Sequence, residues 1–425
     1  MLTRTTVFVS GLALAVGLAL GTAPAPVLAA ADCGEKREVT ASGMDEATYK
    51  RMTKAYELVG EEQYQEALEI FTQLRGRAGT DYMKATLAQA IAQVNWALED
   101  YDGALREFEL AVELDSLPDR AHYALMYQIA QLYYSKNRYD EALDRLDLWF
   151  CKVPVDQHKA TAYVLQASIH AQKEDWPKVI ESMNTAIEMD PDPKENWYQL
   201  KLAAHFQLEQ FSEAADTLEV MITKWPDKKT YWTQLSNTYY KLEDDEKALS
   251  VMALAYRKGL LDTKENLMYL ANLYAMRDVP YKAAKVMQKG LEDGVIDAQE
   301  RYWTMTGDNW YAAEEYEEAL MAFEQAGSLA DEGKIDLRRG FILVDMERWE
   351  EAKSALTDAL EKGGLNDRQT GEAWLLLGMT EYSMGNYDRA GTAFTRASRF
   401  PDARQQAQQW QAVMRDEQAR LAAGP

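Results

Sequence analysis

The stretch from Tyr231 to Ala284, YWTQLSNTYYKLEDDEKALSVMALAYRKGLLDTKENLMYLANLYAMRDVPYKAA, decides the fold. Trp232, Leu235, Ser236 and Tyr239 fall on one face of a helix, and Ala248, Met252 and Ala255 on one face of the next. The pattern then returns as Leu267, Leu270, Ala271 and Tyr274, followed by Ala283, Met287 and Gly290. Spacings of three and four residues bring such positions to one side of a helix. Two antiparallel helices approach closely only where one of them offers Ala, Gly or Ser, and bulky residues one turn away fill the space beside the contact.

Working outward, the small residue that opens the packed face of each second helix is expected at Ala67, Ala104, Ala142, Val179, Ala214, Ala248, Ala283, Ala319, Ala352 and Ala390. Their spacing averages about 36 residues, close to the period of the tetratricopeptide repeat, a helix-turn-helix unit. The predicted fold is therefore all-α: a right-handed solenoid of about ten helical hairpins over residues 44–400. Pro154, Pro191 and Pro226 recur where a second helix must stop, because proline has no backbone N–H to continue it. Residues 401–425 form a capping helix and tail, with Trp410 and Val413 expected on its packed side, as a solenoid needs to cover its last groove.

The N-terminus reads differently. Arg4, an apolar run from Val7 to Leu20 and the small residues Ala29-Ala30-Ala31 have the form of a cleavable signal peptide over residues 1–31, followed by a tail over 32–43. The apolar run is too short for a comfortable membrane span. An exported mature protein, without membrane insertion, is the expectation. Asp32 stands where lipid-attachment signals carry a small residue, so lipidation at Cys33 is not expected. The chain has two cysteines, Cys33 and Cys151. In an oxidising compartment they form a candidate disulfide; a buried free thiol at Cys151 with an exposed one at Cys33 is the alternative.

Charge narrows the partners. With 46 basic and 69 acidic residues the net charge is -23. Nucleic acid is excluded as a partner because phosphate binding requires a cationic footprint, and anionic membrane surfaces are disfavoured for the same reason. No catalytic signature occurs: there is no G-x-S-x-G elbow, Walker loop, H-E-x-x-H or C-x-x-C. Of the four histidines, His122, His158, His170 and His205, His170 and His205 hold about the same position of consecutive repeats and could be near one another, but a metal site there has no obvious further ligands, and the histidines are expected to pack. No enzyme activity, cofactor or metal is expected.

What remains is a surface. In a stack of such hairpins the first helices line a concave groove. The positions that point into it give Gln93 and Trp96, then Tyr127, Gln131 and Tyr134, then Thr233, Asn237 and Tyr240, then Met268 and Asn272. Rings beside amides suit an extended peptide, since rings supply contact area and amides bind backbone. Asn237 and Asn272 resemble the asparagines of peptide-carboxylate clamps in cytosolic chaperone adaptors. Thr304 and Asp308 stand where such clamps need bases, so a clamp of that kind is not expected.

The segments YWTQL at Tyr231–Leu235, KALSVMALAYRKGLL at Lys247–Leu261 and LANLYAMRDVPYKAA at Leu270–Ala284, with the ending around Trp410, resemble periplasmic tetratricopeptide proteins that accompany the TonB/ExbB/ExbD energy-transduction systems of Gram-negative bacteria. That resemblance implies a soluble periplasmic scaffold, accessory to TonB-dependent uptake. A basic, Pro-rich partner segment would suit the acidic surface. The alternative with the same fold is a scaffold for envelope or exopolysaccharide assembly or secretion machinery.

Overall fold

The computed structural model describes residues 37, 39 and 43–423, with side chains to 420. The expected signal peptide and Cys33 lie outside the described residues. Among the described residues there are twenty-one α-helices, one 3-10 turn (Val155–Gln157) and no strand. The chain divides into two compact units, one ending at Pro193 and the other beginning at Lys194.

The first unit holds four antiparallel pairs: α1 (Glu46–Gly60) with α2 (Tyr64–Arg75), α3 (Asp81–Ala97) with α4 (Tyr101–Glu113), α5 (Asp119–Ser135) with α6 (Tyr139–Lys152), and α7 (Ala160–Gln172) with α8 (Trp176–Met189). The second holds six: α9 (Glu195–Gln207) with α10 (Phe211–Lys224), α11 (Lys229–Lys241) with α12 (Asp245–Arg257), α13 (Lys264–Met276) with α14 (Pro280–Glu292), α15 (Glu300–Ala312) with α16 (Tyr316–Leu329), α17 (Lys334–Asp345) with α18 (Trp349–Lys362), and α19 (Asp367–Ser383) with α20 (Tyr387–Ala397). A final helix, α21 (Pro401–Ala423), packs on α19 and α20.

The pairs close through the predicted small residues. All ten, from Ala67 to Ala390 and including Val179, are 0% exposed, so each lies inside a helix–helix contact. The facing helix also offers a small residue. At Gly378 an added Cβ would stand 2.5 Å from the Phe394 ring, so only glycine lets α19 approach that ring. Ser236 fits because its buried hydroxyl donates to the Ala248 carbonyl of the facing helix at 2.8 Å. In α9 the equivalent position holds the large Leu202 instead.

Every hairpin turn is built alike. At the end of α11 the Asp244 N–H donates to Tyr239 O at 2.9 Å and the Glu243 N–H to Tyr240 O at 3.0 Å, with Glu243 at φ 59. These two bonds and the left-handed residue between them form a Schellman cap, which satisfies carbonyls that the helix end would otherwise orphan. The left-handed position recurs at Glu62, Glu99, Asn137, Glu174, Glu209, Asp278, Glu314, Glu347 and Gly385. Pro280 opens α14, where the missing N–H costs nothing.

One expectation about the last helix is corrected. The stripe of α21 that packs is Ala403, Ala407, Trp410 and Met414, with Trp410 stacked on Phe394 at 6.0 Å between ring centroids. Val413 is 48% exposed; it is three residues from Trp410, but at 100° per residue it falls at the flank of the stripe centred between Ala403 and Met414, and the packed position of the next turn is Met414.

Candidate functional site

The residues expected to line a groove divide by what they touch. Trp96 and Tyr134 sit at the turn ends of α3 and α5 and lean on the first ring of the following helix, Trp96 on Tyr101 at 5.6 Å and Tyr134 on Tyr139 at 6.0 Å. Equivalent pairs, five residues apart, join Phe206 to Phe211, Tyr311 to Tyr316 and Tyr382 to Tyr387. These rings clasp the hairpin turn. Met268 is half-buried in a cluster with Ala271, Met287 and Met305, and the Thr233 hydroxyl donates to Thr230 O at 2.9 Å. Gln93, Gln131, Asn237, Tyr240 and Asn272 are exposed.

In the first unit the structure brings Tyr127 and Gln131 into the wall of a groove of about 890 Å³, together with Tyr123, Trp149 and Lys159. The indole of Trp149 donates to Tyr123 O at 3.0 Å, and its ring lies 5.6 Å from that of Tyr127. The Tyr127 hydroxyl donates to Thr161 O at 3.1 Å, tying α5 to the start of α7. Burial raises the Tyr127 phenol above its ordinary pKa. His158 braces the far wall: its ring nitrogens meet Tyr163 Oη at 3.1 Å and Val153 O at 3.0 Å, and its ring lies 5.3 Å from Trp149.

The N-terminal tail meets this region. The Arg37 guanidinium, with its side chain 5% exposed, pairs with Asp115 and, at 2.8 Å, with Asp119. It also donates to Leu117 O at 3.0 Å and lies 5.8 Å from the Tyr123 ring. Cys151, near the end of α6, is disulfide-bonded, whereas Cys33 lies outside the described residues.

The second unit contains a groove of about 840 Å³ that has none of the expected residues in its walls. It opens between α12, α14 and α16, the second helices of three successive hairpins. Tyr281 meets Trp310 edge-on at 5.2 Å, and the Trp310 indole donates to Gln288 Oε1 at 2.8 Å. Lys282 and Lys285 stand 5.6 and 5.5 Å from the Tyr274 and Tyr281 rings. Arg257 and Lys289 add to the cations that line it, and Met321 of α16, 55% exposed, lines it as well. Sequence reasoning missed this groove. The available signal was the run Pro280–Leu291, which holds three lysines at one helical face and no acid in a strongly acidic chain.

The family model described as tetratricopeptide repeat matches residues 90–149 and 337–409. Over those two stretches the helical hairpins match the tetratricopeptide repeat. Solved structures similar to the chain include MamA (16% identity over 42% of this chain and 97% of that one, TM-score 0.30). A complex of the yeast Sti1 TPR2AB domain with pHSP90 matches at 15% identity over 60% and 96%, TM-score 0.31. YrrB, described as a tetratricopeptide protein with an unusual peptide-binding site, matches at 18% identity over 47% and 100%, TM-score 0.34. No curated protein matches the chain.

The histidines of the repeats stand in helix contacts. His122, His170 and His205 are buried, and burial lowers the pKa of each. His205 Nδ1 meets Gln210 Oε1 at 2.9 Å, and His170 Nδ1 lies 3.8 Å from Asp175. Among the described residues no group of three or more His, Cys, Asp or Glu side chains is placed to hold a metal ion. No described helix is long and apolar enough to cross a membrane.

Proposed function

We propose that the chain is a non-enzymatic periplasmic scaffold that holds protein segments in the grooves of its tetratricopeptide repeats, as an accessory to a TonB-dependent uptake system. Tetratricopeptide repeats generally mediate protein–protein interaction, and the observation that carries the reading here is the groove on α5 and α7. There the half-buried Tyr127 ring, backed by the buried Trp149, stands beside the exposed amide of Gln131 along an open surface. Rings add contact area at small entropic cost and the amide offers both a donor and an acceptor to a peptide backbone.

The partner is a basic, Pro-rich extended segment of the kind carried by TonB-like proteins. The net charge of -23 favours such a segment at long range and speeds encounter. The uptake assignment itself rests on the sequence resemblance of residues 231–284. Pull-down of the chain lacking residues 1–31 with a TonB periplasmic fragment, at low and at high salt, tests it. Retention at low salt that fades at high salt supports the reading, and no retention at low salt overturns it.

A further inference from the structure

The groove on the second-helix side of the second unit has a chemistry opposite to that of the molecule around it. Four cations, Arg257, Lys282, Lys285 and Lys289, converge on it, against two carboxylates in its walls, Glu292 and Glu318. On a chain with 69 acidic and 46 basic residues, a cation ordinarily has a carboxylate neighbour to pair with, and Lys289 does, with Asp293 at 2.7 Å. Arg257, Lys282 and Lys285 form no ion pair with a described residue. The ammonium groups of Lys282 and Lys285 instead stand over tyrosine rings, contacts that position the charge at exposed residues and leave N–H donors for an anion.

The floor is apolar. Trp310 is 4% exposed and fixed by its bond to Gln288, while Tyr281 and Met321 present 44% and 55% of their surfaces. A fixed indole flanked by exposed thioether and phenol surface suits an apolar side chain, because Met adapts to the shape of what it meets. The volume of about 840 Å³ takes a few side chains and not a folded domain.

We propose that this groove binds a short acidic segment of another protein. Its carboxylates pair with Arg257, Lys282 and Lys285, and one large apolar side chain seats between Trp310, Tyr281 and Met321. Charge complementarity chooses the occupant: a basic segment is repelled by these cations and has the acidic faces elsewhere to engage. A long polyanion is repelled by the net charge of the molecule, whereas a short segment inside the groove senses chiefly the nearby cations, since charges farther than a Debye length are screened. The site is thus separate from the groove on α5 and α7 and does not depend on the TonB reading.

The test uses the full chain and a fluorescein-labelled peptide of glutamates around a central Trp-Leu pair, followed by anisotropy. Binding at about 50 mM NaCl that weakens about tenfold at about 300 mM is expected. The double variant Lys282→Glu/Lys285→Glu, at two exposed positions, should weaken it about tenfold or more with an unchanged circular dichroism spectrum, while Lys50→Glu/Lys54→Glu on α1 leaves it unchanged. Replacing the Trp-Leu pair by serines should also weaken binding. No binding at low salt, or equal binding by the double variant, overturns the proposal. So does sedimentation equilibrium in which the parent chain self-associates and the Lys282→Glu/Lys285→Glu variant does not, since the occupant is then a second copy.

Discussion

His122 shows how a single side chain couples the tail to the repeats. Its ring is 5% exposed, and Nε2 lies 3.6 Å from Asp115, the carboxylate that Arg37 also engages. Burial, reinforced by the Arg37 and Lys152 charges, pushes the imidazole down to about 4, against the opposite pull of Asp115 and Asp119. Above pH about 6.5 the ring is neutral in both folded and unfolded chains, so it adds no pH dependence. Below that the unfolded chain takes up a proton that the folded chain refuses until about pH 4. The folded state therefore loses stability as the pH falls through this window. In urea unfolding at pH 7.5 and 5.0, the parent should lose more stability than His122→Leu by on the order of 2 kcal/mol. Equal losses in the two proteins would show that the ring is not the titrating group.

At the scale of the element, the hairpin turn is where local and global demands disagree. Nine of the ten turns place a non-glycine residue in the left-handed region, most often Glu, and Gly385 alone meets the geometry without a Cβ. The left-handed conformation costs an ordinary residue about 1 kcal/mol or more, partly offset by its smaller loss of chain entropy on folding compared with glycine. Glu243→Gly, at an exposed position with φ 59, is therefore expected to stabilise the chain by roughly 0.5 kcal/mol. Urea titration measures it, and a less stable variant would mean that the glutamate has a role in the folded turn. The same turns explain what the sequence could and could not disclose. Ala248 and its nine counterparts were legible because steric exclusion between two helices leaves a residue-type mark at a fixed period. Glu243 also recurs at that period, but a glutamate does not announce a left-handed conformation, which here is imposed by the two capping bonds. The repeat period marks Trp96 and Tyr134 as groove positions but does not disclose their contacts with Tyr101 and Tyr139, which depend on how the turn folds back. The cationic groove was hidden further still, because it needs residues from three second helices to converge.

For the whole molecule the dominant physical quantity is charge. A net charge of -23 destabilises a folded chain through self-repulsion, while ion pairs between successive repeats, such as Arg348 with Glu317 at 2.7 Å and Lys136 with Asp102 at 2.8 Å, act the other way. These pairs are partly exposed, and exposed pairs contribute about 0–1 kcal/mol each. Salt weakens both effects, so the sign of the response reports which is larger. Repulsion among so many unmatched carboxylates acts over the whole surface, and lengthening the range of screening exposes it: at low ionic strength the Debye length approaches 30 Å, against about 3 Å near 1 M. Each repeat then feels the charge of its neighbours along with its own. Raising NaCl from about 20 mM to about 500 mM at pH 7.5 should accordingly raise the thermal midpoint by a few degrees. Calorimetry or circular dichroism reads the shift directly. A midpoint that falls with salt would mean that the pairs between repeats outweigh the repulsion, and that the acidic surface is held together by its own cations.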